Sequence, residues 1–110
     1  MLPPPVKAQL DERLRDYWIK RVAQHTGDSY AGVGVSKFPE DLRVYEHLLW
    51  ESEATAVIEI GAYAGGSALW FRDRLAAFGR YRAAPPPLVV SIDVDVDAAR
   101  RAIAAVDPGY

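Results

Sequence analysis

Val57-Ile58-Glu59-Ile60-Gly61-Ala62-Tyr63-Ala64-Gly65-Gly66-Ser67 is the stretch on which the reading of this chain turns. An apolar run closes on an acid and a glycine, a loop of small residues follows, and a helix opens on a serine. That strand–loop–helix shape brings backbone close to a nucleotide-like ligand. A second apolar run, Leu88-Val89-Val90-Ser91-Ile92, ends on Asp93. A carboxylate there can accept hydrogen bonds from both hydroxyls of a ribose. The two runs together predict an adenosine-containing cofactor held at the C-terminal ends of two parallel strands.

The flanking residues extend this into an order of elements. Upstream, Pro3-Pro4-Pro5 is a stiff extended lead-in, and Val6, Leu10, Leu14, Trp18 and Val22, with Tyr17 beside them, space an amphipathic helix to about His25. His25 to Lys37 is a loop by composition. Phe38-Pro39-Glu40-Asp41 opens a second helix, with proline at its first position and two acids in its first turn; it ends near Ser52-Glu53. Ala56 to Ile60 is a short buried strand. A helix from Ser67 to Phe78 follows, with Ser67 as N-cap and Gly79 as C-cap. Arg80 to Pro87 is a loop, Leu88 to Ile92 a second strand, and Asp97 caps a last helix. Helices followed by β-α-β-α predict an α/β fold with a parallel sheet and a right-handed crossover. Two parallel strands need partners for their faces and edges. The chain is therefore expected to be the N-terminal piece of a longer α/β protein, or to pair with another copy of itself.

Composition narrows the function classes. The 110 residues are half hydrophobic and a quarter charged, which suits one small folded domain. A net charge of −2 with mixed signs gives no support for nucleic-acid or anionic-membrane binding. There is no cysteine, which excludes disulfides, thiolate zinc sites and cysteine nucleophiles and fits a reducing compartment. No apolar run approaches the roughly 18 residues that span a bilayer. Met1-Leu2-Pro3-Pro4-Pro5 lacks the basic flank and apolar core of a secretory signal. A cytoplasmic, soluble protein is expected.

Each candidate site residue has a structural reading beside its functional one. Gly61, Gly65 and Gly66 supply absent side chains, needed either for a tight turn or for ligand approach. Tyr63 either packs over a ligand or shields the turn. Ser67 caps the helix, contacts an anionic group of a ligand, or does both. Glu59, at the end of a buried strand, must meet a donor or a cation: a ligand's ammonium, or loop amides. Asp93-x-Asp95-x-Asp97 lacks the glycine and distal glutamate of a calcium loop. Asp93 reads better as the ribose acceptor and Asp97 as a cap, while Asp95 is near the adenosine or solvated. His25 and His47 are isolated, hence structural or at the surface. Arg72, Arg74, Arg80 and Arg82 read mainly as solvated. No Ser-His-Asp set, nucleophile elbow or P-loop is present.

These residues resemble a known family. Glu59-Ile60-Gly61-Ala62-Tyr63-Ala64-Gly65-Gly66-Ser67-Ala68 is similar to motif I of class I S-adenosylmethionine-dependent methyltransferases, including catechol O-methyltransferase-like enzymes. Tyr30-Ala31-Gly32-Val33-Gly34-Val35-Ser36-Lys37-Phe38-Pro39-Glu40-Asp41-Leu42 resembles the segment before motif I in the cephalosporin hydroxylase and rhamnosyl O-methyltransferase group. The likeness runs over about residues 30 to 97. It implies that Gly61, Tyr63, Gly65 and Ser67 line the cofactor's methionine portion, that Asp93 holds its ribose, and that Gly34 to Lys37 close over the site. It further implies methyl transfer to a small-molecule hydroxyl acceptor. Residues 1–55 would form a helical segment with a cofactor-covering loop, and 56–110 the first half of a Rossmann-like S-adenosylmethionine-binding domain. The family's divalent metal, commonly magnesium, sits on acids of later strands, so the general base and metal ligands are expected outside this chain. A catalytically incompetent piece of an O-methyltransferase is the leading expectation.

Two other readings stand beside it. One is an NAD(P)-binding Rossmann oxidoreductase fragment. Against it, Tyr63 occupies the place of the second fingerprint glycine, and roughly 30 residues separate the loop from Asp93 where dinucleotide folds use about 20. The other is a non-catalytic module that self-associates through its apolar sheet edge.

Overall fold

A computed structural model describes residues 13–110. The elements in chain order are α1 (Leu14–His25), β1 (Ser29–Tyr30), β2 (Val33–Gly34), α2 (Pro39–Glu51), β3 (Ala56–Ile60), α3 (Gly66–Gly79), β4 (Leu88–Ile92) and α4 (Asp97–Val106). The proline lead-in, and the stretch from Val6 to Glu12 that was expected to open the first helix, lie outside the described residues. The α/β reading holds: β3 and β4 pair in parallel, in step from Ala56↔Leu88 to Ile60↔Ile92, with α3 between them in sequence.

α3 organises the core because it is apolar on nearly every side, which obliges it to be covered all round. On one flank Ala68 and Leu69 pack with Val33 and Ile103; on the other Trp70, Phe71 and Leu75 pack with Leu49. Val57 and Val89 bring one face of the sheet against these clusters. Strand alternation then sends Ile58, Ile60, Leu88, Val90 and Ile92 to the opposite face, which is exposed, with Ile58 at 71% and Ile60 at 86%. α1 buries none of its residues; its Trp18 and His25 contact Phe38. Among the described residues no helix is long and apolar enough to cross a membrane.

Several local expectations are corrected. The segment expected as a loop from His25 to Lys37 contains an antiparallel hairpin, Ser29↔Gly34 and Tyr30↔Val33. Its two central residues, Ala31 and Gly32, both have positive φ, at 51° and 80°, as the right-handed twist of a hairpin requires. Strands of two residues carry no readable periodicity, and alanine in place of the usual asparagine hides the turn.

Helix caps also differ from expectation. Ser67 lies inside α3; the N-cap is Gly65, at φ 100°. Gly79 is the last residue of α3 and Arg80 closes it in right-handed conformation. Asp97 does not cap α4: it is the first helical residue, after Val96 at the N-cap, and its own N–H donates to Asp95 Oδ1 at 3.0 Å. Three arginines expected to be solvated are engaged. Arg72 pairs with Asp73 and Asp107, Arg74 with Glu46, and Arg82 lies 3.8 Å over the Trp50 ring while donating to the Trp50 carbonyl.

Candidate functional site

The site lies where β3 and β4 end side by side. Gly61 continues the parallel ladder by one bond, its N–H donating to the Ile92 carbonyl at 2.7 Å. The chain then turns at Gly61 (φ 95°), Tyr63 (φ 48°) and Gly65 (φ 100°) before entering α3. A tyrosine at positive φ is uncommon and must be held by its surroundings. Asp93 does the holding: its Oδ2 accepts the N–H of Ala62 at 2.8 Å and of Tyr63 at 3.2 Å, and its Oδ1 accepts that of Val94 at 2.6 Å. The N–H groups of Ala62, Val94 and Tyr63 keep the Asp93 carboxyl below the usual carboxylate range.

The three glycines serve different ends. A Cβ on Gly66 would lie 2.6 Å from the carbonyl oxygens of Val33 and Gly34, so the hairpin backbone rests directly on the start of α3. A Cβ on Gly65 would lie 2.9 Å from Ile103 Cδ1. Both absences serve packing. Gly61 alone of the three has nothing within 4 Å of that position, which leaves its backbone open to an approaching group. Tyr63 is 58% exposed beside it. Ser67 is buried at 5%, behind the loop.

Glu59 is 6% exposed, and its protein partners are not the loop amides expected from sequence. The loop amides go to Asp93. Glu59 Oε1 instead accepts from the Ser91 hydroxyl at 3.1 Å, while Lys37 Nζ stands 4.0 Å from Oε2. Oε2 is buried with no hydrogen-bond partner. Sequence reasoning missed Ser91. The signal was present, because Ser91 is the polar residue of its apolar run and pairs in register with Glu59, the polar residue of the other. A Cβ on Gly34 would lie 3.1 Å from Ala64 Cβ and 3.9 Å from the Tyr63 ring, so the hairpin backbone runs close to the loop.

His25 stacks on Phe38 at 4.4 Å and His47 is exposed. Among the described residues no three His, Cys, Asp or Glu side chains gather to hold a metal ion.

Comparison with known proteins agrees with the fold. A solved chain described as cmcI-D160 Mg-SAM superposes with a TM-score of 0.60 at 25% identity, over 89% of this chain. The overlap takes in 40% of that chain's own length, so the present chain corresponds to well under half of it. No curated protein matches significantly. The family model for rhamnosyl O-methyltransferase/CmcI matches residues 21–109, from α1 through the turn after α4, and the chain belongs to that family.

Proposed function

We propose that this chain is the S-adenosylmethionine-binding portion of a small-molecule O-methyltransferase. The observation that carries the reading is the bare backbone of Gly61, open on its Cβ side at the end of β3, with the Asp93 carboxylate fastened beside it at the end of β4. On this reading Gly61 admits the ligand's backbone-facing edge and Tyr63 covers it. Asp93 meets the ribose. Its two oxygens already receive three N–H groups, so a ribose hydroxyl would use the remaining lone pair or displace a loop amide. Gly65, Gly66 and Ser67 contribute by shape, setting the loop against α3 and the hairpin. The orphaned Oε2 of Glu59 suits the ligand's ammonium group.

The cofactor supplies an activated methyl group on a sulfonium; the protein's part is binding and orientation. Residues 1–55 would provide the helical segment and covering loop, and 56–110 the first half of the Rossmann-like domain. The reading takes no metal ligand and no general base from this chain. Any magnesium, and the pocket for the hydroxyl acceptor, would belong to a longer protein, and the chain by itself would bind without turnover. A cytoplasmic setting fits a sequence without cysteine. The exposed apolar sheet face of Ile58, Ile60, Leu88, Val90 and Ile92 supports self-association of the chain on its own.

Calorimetric titration with S-adenosylmethionine, S-adenosylhomocysteine and NAD tests the proposal. Saturable binding of the first two, lost in Asp93→Ala, is expected. Binding of NAD instead would favour an oxidoreductase fragment, and binding of none of the three would overturn the assignment of the site.

A further inference from the structure

Lys37 and Glu59 form an ion pair between the segment entering α2 and the end of β3. The pair is incomplete in a specific way. The carboxylate is buried, one oxygen is bonded to Ser91, and the other is 4.0 Å from the ammonium with no hydrogen bond. Both side chains line a cavity of about 360 Å³ bounded also by Tyr45, Ile60 and Phe71. A buried carboxylate is stabilised by a nearby cation, but Lys37 sits beyond hydrogen-bond distance and leaves one oxygen of this cavity-lining residue unbonded.

We propose that Lys37 is a resident counter-cation, neutralising Glu59 in the empty site and giving up the carboxylate when a ligand's primary ammonium binds. The inference rests on the adenosyl-ligand reading above. It assigns Lys37 a positioning role: it keeps Glu59 tolerable in the free protein and competes with the ligand for it. Removing Lys37 should therefore do two opposite things. The free chain loses stability, and a ligand carrying an ammonium binds more tightly. A ligand without one is indifferent.

The test uses the whole chain with S-adenosylhomocysteine, which carries the ammonium, and 5′-methylthioadenosine, which does not. Lys37→Met should lower the melting temperature and raise affinity for S-adenosylhomocysteine about tenfold, while 5′-methylthioadenosine changes less than about twofold. Lys37→Arg should keep both stability and the original affinities. Glu59→Gln should weaken S-adenosylhomocysteine selectively, and adding Lys37→Met to it should restore part of that loss by removing a bare positive charge. This pair of variants carries no buried unpaired carboxylate and settles the matter if Lys37→Met alone does not fold. Equal effects on both ligands, or a double variant no better than Glu59→Gln, would overturn the counter-cation role. Failure of the wild-type chain to bind either ligand would instead remove the adenosyl reading on which it rests.

Discussion

The N–H of Ala62 lies 2.8 Å from the Asp93 carboxylate, a bond that ties the loop after β3 to the end of β4 across 31 residues of sequence. The same carboxylate restrains Tyr63 at positive φ. Loop shape thus depends on one charged group, the same group that the proposed function assigns to the ribose.

That dependence has an acid signature. Hydrogen bonds from Ala62, Val94 and Tyr63 lower the Asp93 carboxyl, and the hydrogen bond from Arg72 lowers Asp107. Groups depressed in the folded state contribute stability above their unfolded value near 4, and that contribution is lost as pH falls through the lower folded value. Chemical denaturation from pH 6 to pH 2 should show stability falling below about pH 4. Asp93→Asn should be less stable at pH 6 and should lose less on acidification. Equal slopes for the two proteins would contradict the role given to Asp93.

The hydroxyl of Tyr30 donates to Asp73 at 2.5 Å, linking the hairpin to α3. Burial first, and then this bond, raise the Tyr30 hydroxyl above its usual range. A raised group contributes stability below its unfolded value near 10, lost as pH rises through the folded value. Tyr30→Phe should cost about 1 kcal/mol in urea titration at pH 7 and should flatten the alkaline decline.

Alanine at each loop glycine should separate packing from ligand approach. Gly66→Ala collides with hairpin backbone and should cost about 3 kcal/mol. Gly65→Ala meets the side chain of Ile103 at an unfavourable φ and should cost about 2 kcal/mol. Gly61→Ala meets open space, so its cost should be backbone strain alone, about 1–2 kcal/mol, while ligand binding falls furthest at this position. Denaturation and titration of the three variants read both orders.

Ala31 holds positive φ next to Gly32 in the hairpin turn. Ala31→Asn places a residue that tolerates this conformation and should raise stability by about 0.5 kcal/mol. A loss of stability would show that the turn is not of this type.

The exposed sheet face makes a further demand. If it drives self-association, Ile58→Lys should shift the chain toward monomer in sedimentation velocity and remove any concentration dependence of the melting temperature. An unchanged distribution would place the contact elsewhere.

Elements whose pattern is long or chemically marked were legible in the amino-acid order alone. The apolar runs at Ala56–Ile60 and Leu88–Ile92 read as strands, Pro39 with its acidic first turn marked a helix start, and the glycine loop with Asp93 carried the family resemblance. These signals are local: side-chain periodicity, a fixed φ, and glycines where the chain turns. The rest came from how the elements pack. Packing decided that Gly65 and Gly66 make room for Ile103 and the hairpin backbone while Gly61 stays open, that Asp93 takes the loop amides, and that Ser91 and Lys37 answer Glu59. It also decided that Asp97 opens α4 as its first residue, its N–H taken by Asp95. Each of these turns on which group lies within a few ångströms across chain separations that no local pattern encodes. Strand register places Ser91 beside Glu59, and helix packing places Ile103 against Gly65.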